Sequence, residues 1–147
     1  MSADDIGWRR FTDADRGRLA AAAGSVLVRH GAVRAAYLYG SAARGGLIRD
    51  IDIGLVVEPK PSEWGIEAQI AAELADAAEL HDASFDVRIL NGADPVFLGS
   101  VLRDAALIYQ ADRDAREVFE ARAMSLWLDF RPAWERTRRE VLRRWAR

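Results

Sequence analysis

Gly40, Ser41, Arg44, Asp50, Asp52, Gly54 and Asp86 are the residues of this chain whose types and spacing suit phosphate chemistry. Most lie in the stretch Tyr37-Leu-Tyr-Gly-Ser-Ala-Ala-Arg-Gly-Gly-Leu-Ile-Arg-Asp-Ile-Asp-Ile-Gly-Leu-Val-Val57. A strand running into a Gly-Ser turn and a short helical start leaves backbone N–H groups without partners, and such groups can hold phosphate oxygens. Gly40 lets the backbone approach closely, and Ser41 adds a hydroxyl donor. Arg44 sits one turn later, where its guanidinium can reach a phosphate. Asp50 and Asp52 project side by side, because residues i and i+2 of a strand share a face. Two carboxylates so close repel each other unless a cation lies between them. A pair of divalent ions about 3.5–4 Å apart can bridge such carboxylates and clamp an in-line phosphoryl displacement. Gly54, next on that face, leaves space where a larger side chain would block a nucleotide. Asp86, on the polar face of a later strand, could complete the metal site or accept the proton of an attacking hydroxyl.

Plainer readings stand beside these. Gly40-Ser41 could be only a strand-to-helix turn with a capping serine. Asp50 and Asp52 could be a solvated strand face, Asp86 could pair with Arg88 on its own face, and Arg44 could be one more surface arginine. Tyr37 and Tyr39 read as packing residues rather than platforms for adenine. His30 and His81 read as solvated or capping residues near helix ends.

The elements that must position these groups follow from local signals. Thr12 with Asp15 three residues on forms a capping-box pattern that opens a helix ending at Gly31. Ala35 to Tyr39 reads as a strand, and Gly40 to Gly46 as a small-residue turn. From Asp50 to Val57, Ile51, Ile53, Leu55 and Val57 alternate with Asp50, Asp52, Gly54 and Val56, the pattern of a strand with one buried face. Pro59 and Pro61 end it, and Ser62 can cap a helix running to about His81. Phe85 to Leu90 is a further strand, and Asp94-Pro95 a strong helix start. Ala105 to Tyr109 reads as an edge strand. Asp112 caps a long final helical region that Pro132 kinks or divides. The expected fold is α/β (α+β), a small mixed sheet with helices on one side and a helical tail. Residues 1–111 form the core domain and 112–147 its C-terminal extension.

Composition narrows the chemistry. With 147 residues the expectation is one domain, and 50% hydrophobic with 30% charged residues is ordinary for a folded chain. There is no cysteine and there are only two histidines, so a metal would need carboxylates, which favour hard ions such as magnesium. A net charge of −2 argues against a general nucleic-acid binder. The charge is uneven, however: residues 131–147 carry seven Arg against Glu135 and Glu140, a local excess of +5 that leaves −7 for the rest. In the final helical region Phe119, Leu126, Phe130, Trp134, Val141 and Trp145 recur at helical spacing, either as core or as a surface for a partner or a homodimer. No basic region followed by an apolar run opens the chain, and the Ala-rich run Leu19 to Val28 is too short to span a bilayer, so a cytoplasmic protein is expected.

These motifs together resemble the DNA polymerase β-like nucleotidyltransferase superfamily, and within it the minimal nucleotidyltransferase (MNT) antitoxins of HEPN/MNT toxin–antitoxin pairs. Gly40-Ser41 is similar to the family's Gly-Ser signature, Ala43-Arg44-Gly45 to the Ala-Arg-Gly that commonly follows, Asp50-Ile-Asp52 to its metal pair, and Phe85-Asp-Val87 to the strand carrying its third acid. The Asp94-Pro95 helix, the Ala106 to Tyr109 segment and the Glu117 to Pro132 helix look like the MNT tail. The resemblance implies a polymerase β-like fold. It implies ATP and Mg2+, with Asp50, Asp52 and Asp86 as catalytic metal ligands and Gly40, Ser41 and Arg44 holding the nucleotide. It further implies transfer of AMP to a tyrosine of a partner HEPN ribonuclease. Two alternatives are an antitoxin acting by binding alone and an aminoglycoside-type transferase. No membrane or direct nucleic-acid contact is expected, and a homodimer or hetero-oligomer is open. Two features depart from the pattern: the Ser41–Asp50 interval is two residues shorter than usual, and Arg49 stands where a serine normally precedes the first Asp.

Overall fold

The computed structural model describes residues 7–59 and 65–146. The capping box forms as its residues dictate. Thr12 Oγ1 accepts the Asp15 N–H, and the Asp15 carboxylate accepts the Thr12 N–H at 2.9 Å. The helix it opens, α1 (Asp13–Leu27), ends one turn before the expected Gly31. Asp15 is buried and also receives Arg9 at 3.1 Å and Arg18 at 2.5 Å. Burial alone would raise this carboxyl. The Thr12 backbone bond, the Arg18 bond, the Thr12 hydroxyl and the charge of Arg9 outweigh it and pull the pKa down to about 2.

A folded-state pKa below the unfolded value stabilises the fold above the unfolded pKa and loses that contribution as pH falls through the folded one. The network is therefore expected to contribute on the order of 1–2 kcal/mol at neutral pH, allowing for solvent screening, and to lose it between about pH 4 and pH 2. Acid titration followed by circular dichroism checks this. Asp15→Asn should be less stable at pH 7 and should show a flatter acid limb.

Four strands form one sheet in the order β5-β4-β2-β6, from β2 (Val33–Tyr39), β4 (Asp50–Val57), β5 (Ser84–Ile89) and β6 (Ala106–Gln110). β2 is antiparallel to both β4 and β6, while β4 and β5 run parallel, so the sheet is mixed as expected. The parallel pair needs a crossover, and α3 (Ile66–Ala78) supplies it. The expected Ser62 cap lies outside the described residues, and α3 stops at Ala78, short of His81. The apolar face of β4 meets α1 and α3 through Ile51, Ile53, Leu55, Leu19, Leu27, Ile70 and Leu74.

Helices were expected on one side only, but they cover both. On the opposite face Tyr37, Tyr39, Val56 and Leu90 pack with Leu98 of α4 (Pro95–Asp104) and Ala123 of α5 (Arg113–Trp145). Half of the polar-reading face of β4 is thus core, because Gly54 and Val56 carry no charge and accept cover. Asp94 caps α4 and Asp112 caps α5, both as their sequences indicate.

Pro132 does not divide α5, which runs unbroken for 33 residues. The carbonyl of Leu128 that the missing N–H would have met lies at an exposed position, open to water, so the loss is tolerated. Two short strands went unread in the sequence: β1 (Arg9–Phe11) pairs antiparallel with β3 (Gly46–Ile48) beside the Gly-Ser turn. His30 is no simple cap. It bonds Glu73 at 2.8 Å and ties the loop after α1 to α3. His81 stays exposed, 4.0 Å from Asp76.

Candidate functional site

β2 delivers the chain to Tyr39, and the backbone turns at Gly40 with φ +68 into the short helix α2 (Gly40–Arg44). That φ is left-handed, which glycine adopts without penalty. A second constraint acts at the same residue: a Cβ on Gly40 would fall inside van der Waals contact of the Asp52 carboxylate. The turn is therefore seated directly on Asp52. No side chain caps the start of α2, and Ser41 beside it is exposed. The other end of α2 is held by Arg16, which donates to the carbonyls of Ala42 at 3.2 Å and Ala43 at 2.8 Å. Arg16 was missed in the sequence, since nothing local marks a helix side chain that reaches across to a turn 26 residues away.

The strand register aligns Tyr39, Asp52 and Asp86 in one row across β2, β4 and β5. Neighbouring strands lie about 4.8 Å apart, so Asp52 and Asp86 are side by side, with Asp50 next on that face at the start of β4. Burial raises the Asp52 pKa, and the charges of Asp86 and Asp50 raise it further, while Arg88 and Arg44 pull it down. Tyr39 is pushed up to about 12, by burial first and by Asp52 next. The three acids thus share one electrostatic site. They are not drawn into a ligand set: among the described residues no three acidic or histidine side chains are grouped so as to hold a metal ion. Arg88 pairs with Asp86 at 3.2 Å and lies over the Phe97 ring at 5.5 Å, which keeps the third acid engaged. Phe97 in turn stands edge-on to Tyr39.

Arg44 is mostly exposed and pairs with Asp104 at the end of α4 at 3.3 Å. Arg49 is exposed, and its guanidinium lies 5.7 Å over the Trp8 ring. Gly54 does not keep a space open for a nucleotide. Leu90 already fills it, and a Cβ on Gly54 would come within 2.6 Å of Leu90 Cδ1. Gly54→Ala is therefore expected to cost about 1–3 kcal/mol through overpacking. A thermal-melt cycle with Leu90→Ala should show strong coupling, the double variant being far more stable than the sum of the singles. Asn91 was also unread. Its side chain brackets Val57, accepting the N–H at 2.9 Å and donating to the carbonyl at 3.0 Å, and so closes the end of β4.

Comparison with known proteins accords with this geometry. Solved structures align along most of the chain. One is a chain of the complex of tri-AMPylated Shewanella oneidensis HEPN toxin with MNT antitoxin (TM-score 0.66, 18% identity, covering 87% of this chain and 98% of that one). Another is a chain of a toxin–antitoxin structure with AMP-PNP (TM-score 0.64, 21% identity, 80% and 94%). A third is a chain of the MntA–HepT toxin–antitoxin (TM-score 0.61, 18% identity, 88% and 97%). At such identities the likeness concerns the fold. No curated protein sequence matches. The sequence profile of the polymerase beta nucleotidyltransferases matches residues 23–114, which include β2, α2, β4 and β5 with every acid of the row. The chain belongs to the polymerase β nucleotidyltransferase family.

Proposed function

We propose that this protein transfers AMP from ATP to a hydroxyl of a HEPN-type partner protein, a tyrosine being the expected acceptor, and silences that partner as its antitoxin. The observation that carries the reading is the row Tyr39–Asp52–Asp86 with Asp50 beside it, under a Gly40 turn seated on the Asp52 carboxylate. A tri-AMPylated HEPN toxin stands beside the MNT antitoxin in the similar Shewanella complex, and that supports the choice of nucleotide and acceptor.

In this reading Ser41 and the N–H groups opening α2 hold the triphosphate, with Arg44 at the rim. Asp50 and Asp52 hold Mg2+, and Asp86 joins them or takes the proton of the acceptor hydroxyl. The donor chemistry fits a hard cation, because carboxylates are its preferred ligands and because Asp52 is under unfavourable charge from its acidic neighbours. Bound Mg2+ would supply charge neutralisation at the phosphates. The acceptor oxygen forms a bond to the α-phosphorus, the bond to the β-phosphate oxygen breaks, and pyrophosphate leaves. The acceptor's proton passes to a carboxylate, for which Asp86 is placed once its Arg88 partner lets go. Among the described residues no helix is long and apolar enough to cross a membrane, and we place the protein in the cytoplasm, where ATP is available. Residues 1–111 are then the catalytic core and 112–147 its extension.

One observation favours a second reading, neutralisation by contact alone: the Arg88–Asp86 ion pair occupies the third acid. Weighing the proposed HEPN-type partner after incubation with Mg-ATP and this protein separates the two. Added AMP mass is expected, and its absence together with full neutralisation by Asp50→Asn/Asp52→Asn would favour contact alone.

A further inference from the structure

Beyond Trp127, α5 leaves the body of the protein. Trp127 still packs against α4, where a Cβ on Gly99 would come within 2.7 Å of its ring, but every described residue from 128 to 146 is exposed. At 1.5 Å per residue this is an arm about 28 Å long. A lone helix of that length is marginal in water, and its stability normally comes from packing an apolar face. The arm has such a face, and no described residue buries it. Phe130, Trp134, Val141 and Trp145 recur at helical spacing, with 40%, 37%, 46% and 85% of their surfaces exposed. Leu126 continues the stripe to the arm's root and there lines a cleft of about 300 Å³ with Leu98, Phe119 and Arg122, roomy enough for one large side chain. An apolar surface of this extent marks an interaction site.

The charges on the arm say what covers it. Every basic residue in it is Arg, whose planar fork suits carboxylates, and Arg and Trp are both enriched at the energetic centres of protein interfaces. Asp129, Glu135 and Glu140 offset them in part, the two glutamates bonded to Arg131 at 2.9 Å and Arg144 at 3.3 Å. Two arms laid together would bring like charges into contact, which disfavours a second copy. The family profile ends at residue 114, so the arm lies outside the part of the chain that defines the transferase core.

We infer that α5 beyond Trp127 is a docking arm for an acidic protein. That protein lays an amphipathic helix along the stripe, with carboxylates meeting the arginines, and seats an apolar side chain in the root cleft. The inference rests on the proposed function in one respect, that this protein is the HEPN-type acceptor.

The test mixes the full chain with the proposed HEPN-type partner, without nucleotide, in a calorimeter at low and high salt. Binding that weakens with salt is expected. Trp134→Glu/Trp145→Glu should lose at least tenfold in affinity, and Arg138→Glu/Arg139→Glu should weaken binding and flatten its salt dependence. Equal affinity of these variants and the wild type would overturn the inference, as would a wild type that does not bind. So would arm-dependent binding to phosphatidylserine vesicles, duplex DNA or a second copy in sedimentation, with protein binding untouched. Transfer of AMP is weighed separately on the same samples. Arm-dependent binding without transfer would remove the transferase reading and leave the docking arm standing.

Discussion

Asp52→Asn is expected to lose nucleotidyl transfer by on the order of 10³-fold while remaining folded and no less heat-stable. The activity loss follows from removing a ligand of a cation that contributes several kcal/mol to transition-state charge, each 1.36 kcal/mol being a factor of ten. The stability expectation comes from the position of this carboxylate. Burial raises its pKa, and Asp86 and Asp50 raise it further. A folded-state pKa above the unfolded value means that the charged form opposes folding. The fold therefore gains stability as pH falls through the raised pKa, and loses it as pH rises. An uncharged Asn escapes that penalty, so its melting temperature should equal or exceed the wild type's at pH 7. The difference should shrink as the pH is lowered toward the carboxylate range. Single-turnover transfer read by mass spectrometry, with calorimetric melts at pH 7 and pH 5, checks both halves. A variant that transfers at the wild-type rate, or one that unfolds, would count against a metal-binding role.

The second large effect belongs to Gly40. An alanine there meets two obstacles at once. Its φ of +68 is left-handed, which costs a non-glycine residue roughly 1–2 kcal/mol. Its Cβ would also overlap the Asp52 carboxylate. Either the turn or the acid must move, and a displacement near 1 Å in an active site costs about 10²-fold in rate. Gly40→Ala should therefore lose transfer by about 10²-fold and melt a few degrees lower. Gly45→Ala is the control, since Gly45 also has positive φ, +83, but open space for a Cβ. It should show the stability loss and keep most of the activity. If both variants lose activity equally, strain in the turn matters and its seat on Asp52 does not.

What was legible in the sequence had short-range causes. The capping box at Thr12 and the caps at Asp94 and Asp112 act within three residues, and each forms as its residues indicate. The alternation from Asp50 to Val57 put Ile51, Ile53 and Leu55 in the core and the two acids on the other face. What was not legible depended on contacts across the chain. Nothing local shows that Leu90 fills the space over Gly54, or that Arg49 lies over Trp8. Nor does it show that β1 finds β3, or that Arg16 holds the end of α2. Arg88 lies between these cases. Its place on the face of Asp86 was readable from the period of two, but its cover by Phe97 was not. The stripe in α5 was read correctly as helical, yet period alone could not tell a buried face from an uncovered one.

The most direct measurement is calorimetric titration of ATP into the protein with and without Mg2+, repeated on Asp50→Asn/Asp52→Asn. Magnesium-dependent uptake of one ATP per chain is expected for the wild type, with no such dependence in the double variant. Uptake that ignores magnesium, or that survives loss of both acids unchanged, would contradict a nucleotide site built on this row of carboxylates.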